Sequence, residues 1–120
     1  MSIHSRMSSF RYALKGIRVL VASQPNARIH LMAALVVIFL GLWFDISSQE
    51  WLILVGFISL VICLEAVNTA IEYLTDLVSP EYNPLAGKVK DIAAGAVLIA
   101  AIGAVVAGVM IFLPKVWKWL

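Results

Sequence analysis

Four polar side chains interrupt one apolar stretch: Glu65, Asn68, Glu72 and Asp76, within Leu64-Glu65-Ala66-Val67-Asn68-Thr69-Ala70-Ile71-Glu72-Tyr73-Leu74-Thr75-Asp76. On a helix turning about 100° per residue, these spacings put all four on one narrow face. A carboxylate in hydrocarbon is costly and rare unless it faces protein or water, or does chemistry, so the stripe is a functional-site hypothesis from its residue types alone. A buried carboxylate kept ionised by a nearby cation can take a proton from a substrate hydroxyl. Outer carboxylates suit a hard ion such as Mg²⁺, which usually arrives with nucleotide phosphates. Lys88 and Lys90, in the connection that follows, offer positive charge to a transferred phosphate. Together these parts describe phosphoryl transfer at a membrane surface. The competing reading is helix glue, in which the carboxylates pair with Lys88, Lys90 or Arg28 to hold a bundle.

The elements that must carry this stripe are membrane helices. Hydrophobic residues make up 62% of the 120 and charged residues 13%; with a mean hydropathy of +0.98, this lies outside the range of a soluble domain. Uncharged apolar runs occupy roughly 31–44, 51–64 and 92–113, and only the last reaches the ~20 residues that span hydrocarbon unaided. The first must start near Ile29 or His30, and the second must run on through Glu65 and Glu72, which again turns those carboxylates toward protein or water. Counting ~20 residues from Trp51 puts the hydrocarbon edge near Ala70, with Glu65 about 7 Å inside and Glu72 and Asp76 at or beyond the boundary. The expected fold is all-α: one membrane domain over 1–120, with a surface helix at about 6–24 and spans at about 29–45, 50–78 and 86–113.

Before Ile29 the chain holds Arg6, Arg11, Lys15, Arg18 and Arg28 and no acid. It has no apolar core ahead of a small-residue cleavage site, so it does not read as a secretory signal. Phe10, Ala13, Leu14, Ile17 and Val21 recur at helical spacing opposite Arg11, Lys15 and Arg18, the pattern of an amphipathic helix lying on an anionic membrane surface; a solvated arm is the alternative. The connection Phe44-Asp45-Ile46-Ser47-Ser48-Gln49-Glu50 has no Lys or Arg, whereas the N-terminal segment and the 77–91 connection do. The N-terminus and second loop are therefore expected on the cytoplasmic side. Lys115 and Lys118 then lie outside, beside Trp117 and Trp119, as interfacial anchors.

Ser79-Pro80 and Asn83-Pro84 are turn signals that stop the second span near Val78. In the third, Ala96, Ala100, Ala104 and Gly108 recur every four residues, a face that permits close helix approach. Cys63, the single cysteine, has no partner for a disulfide or thiolate metal site and is expected in the core. His4 and His30 share no metal-ligand spacing, and His30 is expected to be structural. Gly87-Lys88 lacks the earlier glycine and the following Ser or Thr of a phosphate loop. No nucleic-acid partner is expected. A small proton-coupled transporter would also use a membrane carboxylate, but leaves the basic N-terminal helix and the Lys88-Val89-Lys90-Asp91 loop unexplained.

Glu65-Ala66-Val67-Asn68-Thr69-Ala70-Ile71-Glu72-x-x-x-Asp76, followed by Pro80-Glu81-Tyr82-Asn83-Pro84-Leu85-Ala86-Gly87-x-x-Lys90-Asp91-x-x-Ala94-Gly95-Ala96-Val97-Leu98, resembles the signature of the small bacterial integral-membrane diacylglycerol kinases, a family that includes the undecaprenol kinases. The resemblance extends from about Phe10 to Leu113. It implies a homotrimer of three-span protomers in the inner membrane, each with a surface helix, whose composite sites lie between protomers at the cytoplasmic face. It also implies transfer of phosphate from ATP, with Mg²⁺, to a membrane lipid alcohol: diacylglycerol, giving phosphatidic acid, or undecaprenol.

By this resemblance Glu65 is the base acting on the lipid hydroxyl, and Glu72 binds Mg²⁺. Tyr12, the Glu81-Tyr82-Asn83 turn, Lys90 and Asp91 contact nucleotide, supported by Asn68 and Asp76. Asn26, Ala27, Arg28, Ile29 and His30, with Trp43, Phe44, Asp45, Ile46, Trp51 and Ala94, match positions that line the lipid in relatives. Two positions depart from the pattern. Gln24 stands where relatives usually carry a second metal-binding Glu, keeping an amide oxygen for Mg²⁺ and nucleotide but losing a charge. Asn83 replaces a frequent His, keeping hydrogen bonding without titration.

Overall fold

A computed structural model describes residues 2–120. Its regular elements are four α-helices: α1 (Ile3–Ser23), α2 (Pro25–Trp43), α3 (Ser48–Val78) and α4 (Pro84–Trp119), with no strand among the described residues. The last three, of 19, 31 and 36 residues, are long and apolar enough to cross a membrane. At about 1.5 Å per residue, α3 and α4 overrun a hydrocarbon layer of roughly 30 Å. Their surplus turns carry the polar end of the stripe at one extremity and the Glu50 to Lys115 region at the other.

Each helix end has a local cause. Gln24 is the single residue between α1 and α2, with Pro25 opening α2 where a missing N–H is harmless. The Arg28 guanidinium reaches back to the carbonyls of Val21 and Ala22, at 2.8 and 3.1 Å, closing the C-terminus of α1. At the other end of α2, Asp45 takes a left-handed φ of 50°, Asp45 N–H donates to the Leu42 carbonyl and Ile46 N–H to that of Gly41, a Schellman closure. Ser47 and Glu50 then form a reciprocal capping box that starts α3. Asn83 accepts from Leu85 N–H at 2.8 Å and Pro84 follows, starting α4.

Packing is thin. The molecule measures 55 × 43 × 22 Å, so it is little more than two helices deep and leaves most apolar side chains facing outward. α3 packs chiefly on α4 and also on α2, while α1 touches α2 and α3. The buried cluster of Ile46, Leu54, Ile111 and Phe112 sits under the α2–α3 turn, with Val37, Leu40, Phe44 and Trp51 against it. Phe44 meets Phe112 in a tilted pair and Trp119 edge to face.

Two expectations change in the fold. α4 does not stop at Leu113 but continues through Pro114 to Trp119; the Lys115 ammonium donates to the Ile111 carbonyl at 3.0 Å and to Glu50 at 2.6 Å, tying down the turn that proline weakens. Lys115 is therefore paired with Glu50 at the end of the bundle away from Asp76. Ala100 of the small-residue face is buried, and at Gly103 a Cβ would lie 2.8 Å from Phe57 Cε1, whereas a Cβ at Gly108 would meet nothing within 4 Å. Cys63 is exposed, because it lies on the side of α3 opposite Val61 and Glu65, which are buried.

Candidate active site

The stripe runs from buried to wet along α3. Glu65 is 2% exposed and Asn68 and Thr69 are buried, Glu72 is half-buried, and Asp76 is exposed. Inward placement follows from the register that buries Leu54 and Val61, since Glu65 lies one turn beyond Val61 on the same face. Thr69 spends its hydroxyl on the Glu65 carbonyl at 2.9 Å. Asn68 Nδ2 reaches Glu72 Oε1 at 3.5 Å, and Asn68 Oδ1 is buried with no partner.

The helix-glue reading accounts for one carboxylate. Asp76 accepts from Lys90 at 2.5 Å, joining α3 to the first turns of α4, but Glu65 and Glu72 pair with none of Lys88, Lys90 or Arg28. The neighbour of the Glu65 carboxylate is the His30 imidazole, Nε2 to Oε2 at 3.8 Å. The sequence carried no signal for this pair, since the two residues lie on different helices and no local spacing relates them.

The expected nucleotide set is spread around the polar end. Tyr12 lines a groove between α1 and α3 with Lys15, Gly16, Thr69 and Tyr73. Tyr82 is 92% exposed, and Glu81 and Asp91 are exposed. Asn83 is engaged in capping α4, and Lys90 is held by Asp76. Among the described residues no three His, Cys, Asp or Glu side chains converge as metal ligands. The donors for a hard cation are nonetheless of the right type: Glu72 has carboxylate oxygen to offer, and the Gln24 side chain makes no cap bond with α2, leaving its amide oxygen uncommitted to that role.

Of the expected lipid-lining set, His30 lines an apolar groove of about 580 Å³ between α2, α3 and α4 with Ala34, Val61, Ala104 and Phe112 among its walls. Ala27 and Ile46 are buried, and Asn26 and Ala94 are exposed. Arg28 caps α1. Ile29 and Trp43 face outward, Trp43 stacking on Phe39. Trp51 lies against Gly41, and Phe44 and Asp45 form the turn beside it.

A sequence model described as prokaryotic diacylglycerol kinase matches residues 11–112. The undecaprenol kinase of Bacillus subtilis is 39% identical over 107 residues, covering 89% of this chain and 87% of that protein. A diacylglycerol kinase of Synechocystis is 42% identical over 107 residues, 88% of this chain but 61% of the longer relative. The diacylglycerol kinase of Escherichia coli K12 is 34% identical over 95 residues, 79% of this chain and 78% of that protein. A buried glutamate in a membrane helix, continued by a second carboxylate and a Lys–Asp pair toward its polar end, thus lies inside a match that spans most of the chain, and this protein belongs to the prokaryotic diacylglycerol kinase family, a family of lipid kinases.

Proposed function

We propose that this chain is an ATP-dependent kinase that phosphorylates diacylglycerol to phosphatidic acid at the cytoplasmic face of the bacterial inner membrane. It works as a homotrimer with its N-terminus cytoplasmic and α1 lying amphipathic on the surface. The observation that carries the reading is Glu65: a carboxylate 2% exposed, set in a helix apolar enough to cross a membrane, and 3.8 Å from His30, which lines a cavity with almost wholly apolar walls. Hydrocarbon tails suit such a cavity, and a carboxylate near its polar lining residue suits the hydroxyl at the end of those tails.

Glu65 takes the proton from the lipid hydroxyl as its oxygen attacks the γ-phosphorus of ATP. Glu72, two turns further along α3, and Gln24 would hold the Mg²⁺, which when bound offsets phosphate charge. Tyr12, Glu81, Tyr82, Asn83, Lys90 and Asp91 contact the nucleotide, and Asn68 and Asp76 hold the stripe in register. Transport is not needed to account for the carboxylate, since the family is one of kinases.

Undecaprenol is the second reading for the lipid, favoured by the likeness to the Bacillus enzyme along most of both chains. Purified protein incubated with MgATP and each lipid alcohol separately decides between them. Phosphatidic acid from diacylglycerol is the expected product; undecaprenyl phosphate alone transfers the assignment to the second reading, and no phosphorylated lipid from either ends the kinase proposal.

A further inference from the structure

The buried carboxylate has an imidazole neighbour whose role the phosphoryl transfer does not yet explain. His30 of α2 sets Nε2 3.8 Å from Glu65 Oε2, and its side chain is 24% exposed where that of Glu65 is 3% exposed. This separation is somewhat longer than a hydrogen bond and is closed by a small torsion of either side chain or by one bridging water. Building on the lipid-kinase reading, we propose that His30 is the proton exit for Glu65, a positioning residue that resets the base after each turnover.

The balance of the reaction requires such an exit. The lipid hydroxyl oxygen bonds to the γ-phosphorus, the bond from that phosphorus to the β,γ-bridging oxygen breaks, and ADP leaves with the electron pair. One proton per turnover is left on Glu65. A carboxylic acid with this little exposure has scant water of its own to receive that proton. Neutral His30 accepts it on Nε2 and stands as a cation beside the regenerated carboxylate. It then gives the proton to water that reaches its partly exposed side chain once the phosphorylated lipid has left the groove.

Other ionisable groups are committed elsewhere. On α1, Lys15 lines the separate groove toward Tyr73. On α2, Arg28 is bound to the carbonyls of Val21 and Ala22. On α3, Glu72 lies two turns away and meets Asn68. On α4, the residues that line the cavity with His30 are apolar and Lys90 is paired with Asp76. Among the described residues the ion-pair contact of Glu65 is with His30.

The test uses the full-length protein with MgATP and, separately, diacylglycerol and undecaprenol, comparing wild type, His30→Ala and His30→Gln. With loss of the exit, kcat of both variants falls about tenfold or more while KM for ATP and lipid moves less than about twofold. Added imidazole restores His30→Ala, and the rescue grows as rising pH converts imidazole to its free base. His30→Gln keeps a hydrogen-bonding group beside Glu65 but cannot carry a proton, so it stays slow. Wild-type kcat in His30→Gln, or a loss in His30→Ala that imidazole restores at no pH, assigns His30 to packing and overturns the inference while leaving the kinase reading intact. A wild-type preparation that phosphorylates neither lipid overturns both together.

Discussion

Glu65 and Asp76 sit on one helix face yet have opposite energetics. Asp76 and Lys90 are both well exposed, and such a pair contributes only about 0–1 kcal/mol because water screens it. Glu65 is withdrawn from water, a placement that costs stability and that the proposed base role accounts for. Glu65→Gln keeps size and hydrogen bonding but removes basicity, and turnover is expected to fall by about 10²-fold or more. Assembly and ATP binding should be retained; a variant that fails to assemble, with normal kcat in its folded remainder, would show that Glu65 is structural. Gln24 tests the metal shell. Gln24→Glu adds a charge and should raise activity at limiting Mg²⁺, whereas Glu72→Gln should raise the Mg²⁺ requirement. If both act on one ion, the double variant is non-additive, and superimposable Mg²⁺ titrations of wild type and Gln24→Glu would remove Gln24 from the shell.

At the scale of elements, the end of the bundle farthest from Asp76 is held by close packing of α2 on the start of α3. A Cβ at Gly41 would stand 2.6 and 2.8 Å from the Trp51 ring and 3.2 Å from Ile46 Cδ1, and Ile46 belongs to the buried cluster. Gly41→Ala gains helix propensity of about 1 kcal/mol but must displace an indole packed on that cluster, so a net loss of about 1–2 kcal/mol is expected. Thermal unfolding in detergent measures it. Adding Trp51→Phe, a smaller ring, should return part of the loss, and strict additivity of the two changes would show that the ring is not what Gly41 accommodates.

The whole molecule is too thin to bury its own surface, with Leu52, Ile99, Met110 and many other large apolar side chains exposed. Lipid and neighbouring copies are the proposed cover. Asn68 Oδ1 lacks a partner within the chain, and in the proposed homotrimer the site is shared between protomers. Mixed assemblies of Glu65→Gln and Glu72→Gln protomers should therefore recover activity that neither has alone; inactive mixtures of proven mixed composition would put base and metal ligand on the same chain. Orientation is tested by cysteine labelling in a Cys63→Ala background. Tyr82→Cys, at a side chain 92% exposed, should react with an impermeant thiol reagent only after permeabilisation, and Ser48→Cys in intact cells as well. The reverse pattern would put the proposed nucleotide site outside the cell.

Local chemistry determined much of this protein. The polar stripe, the apolar runs, the Ser79-Pro80 stop and the Asn83-Pro84 start depend on neighbours within a few turns, and their meaning survives without knowledge of the rest of the chain. The family resemblance rests on the same short-range patterns. Three-dimensional packing decided what those patterns cannot encode. It brought His30 to Glu65 and Glu50 to Lys115 across separate helices, carried α4 through Pro114, turned Cys63 outward, and set Gly103 against the Phe57 ring. Each of these depends on the relative rotation and offset of two helices, which periodicity leaves free: it says which residues share a face, but the fit of side chains between helices selects the neighbour that face meets.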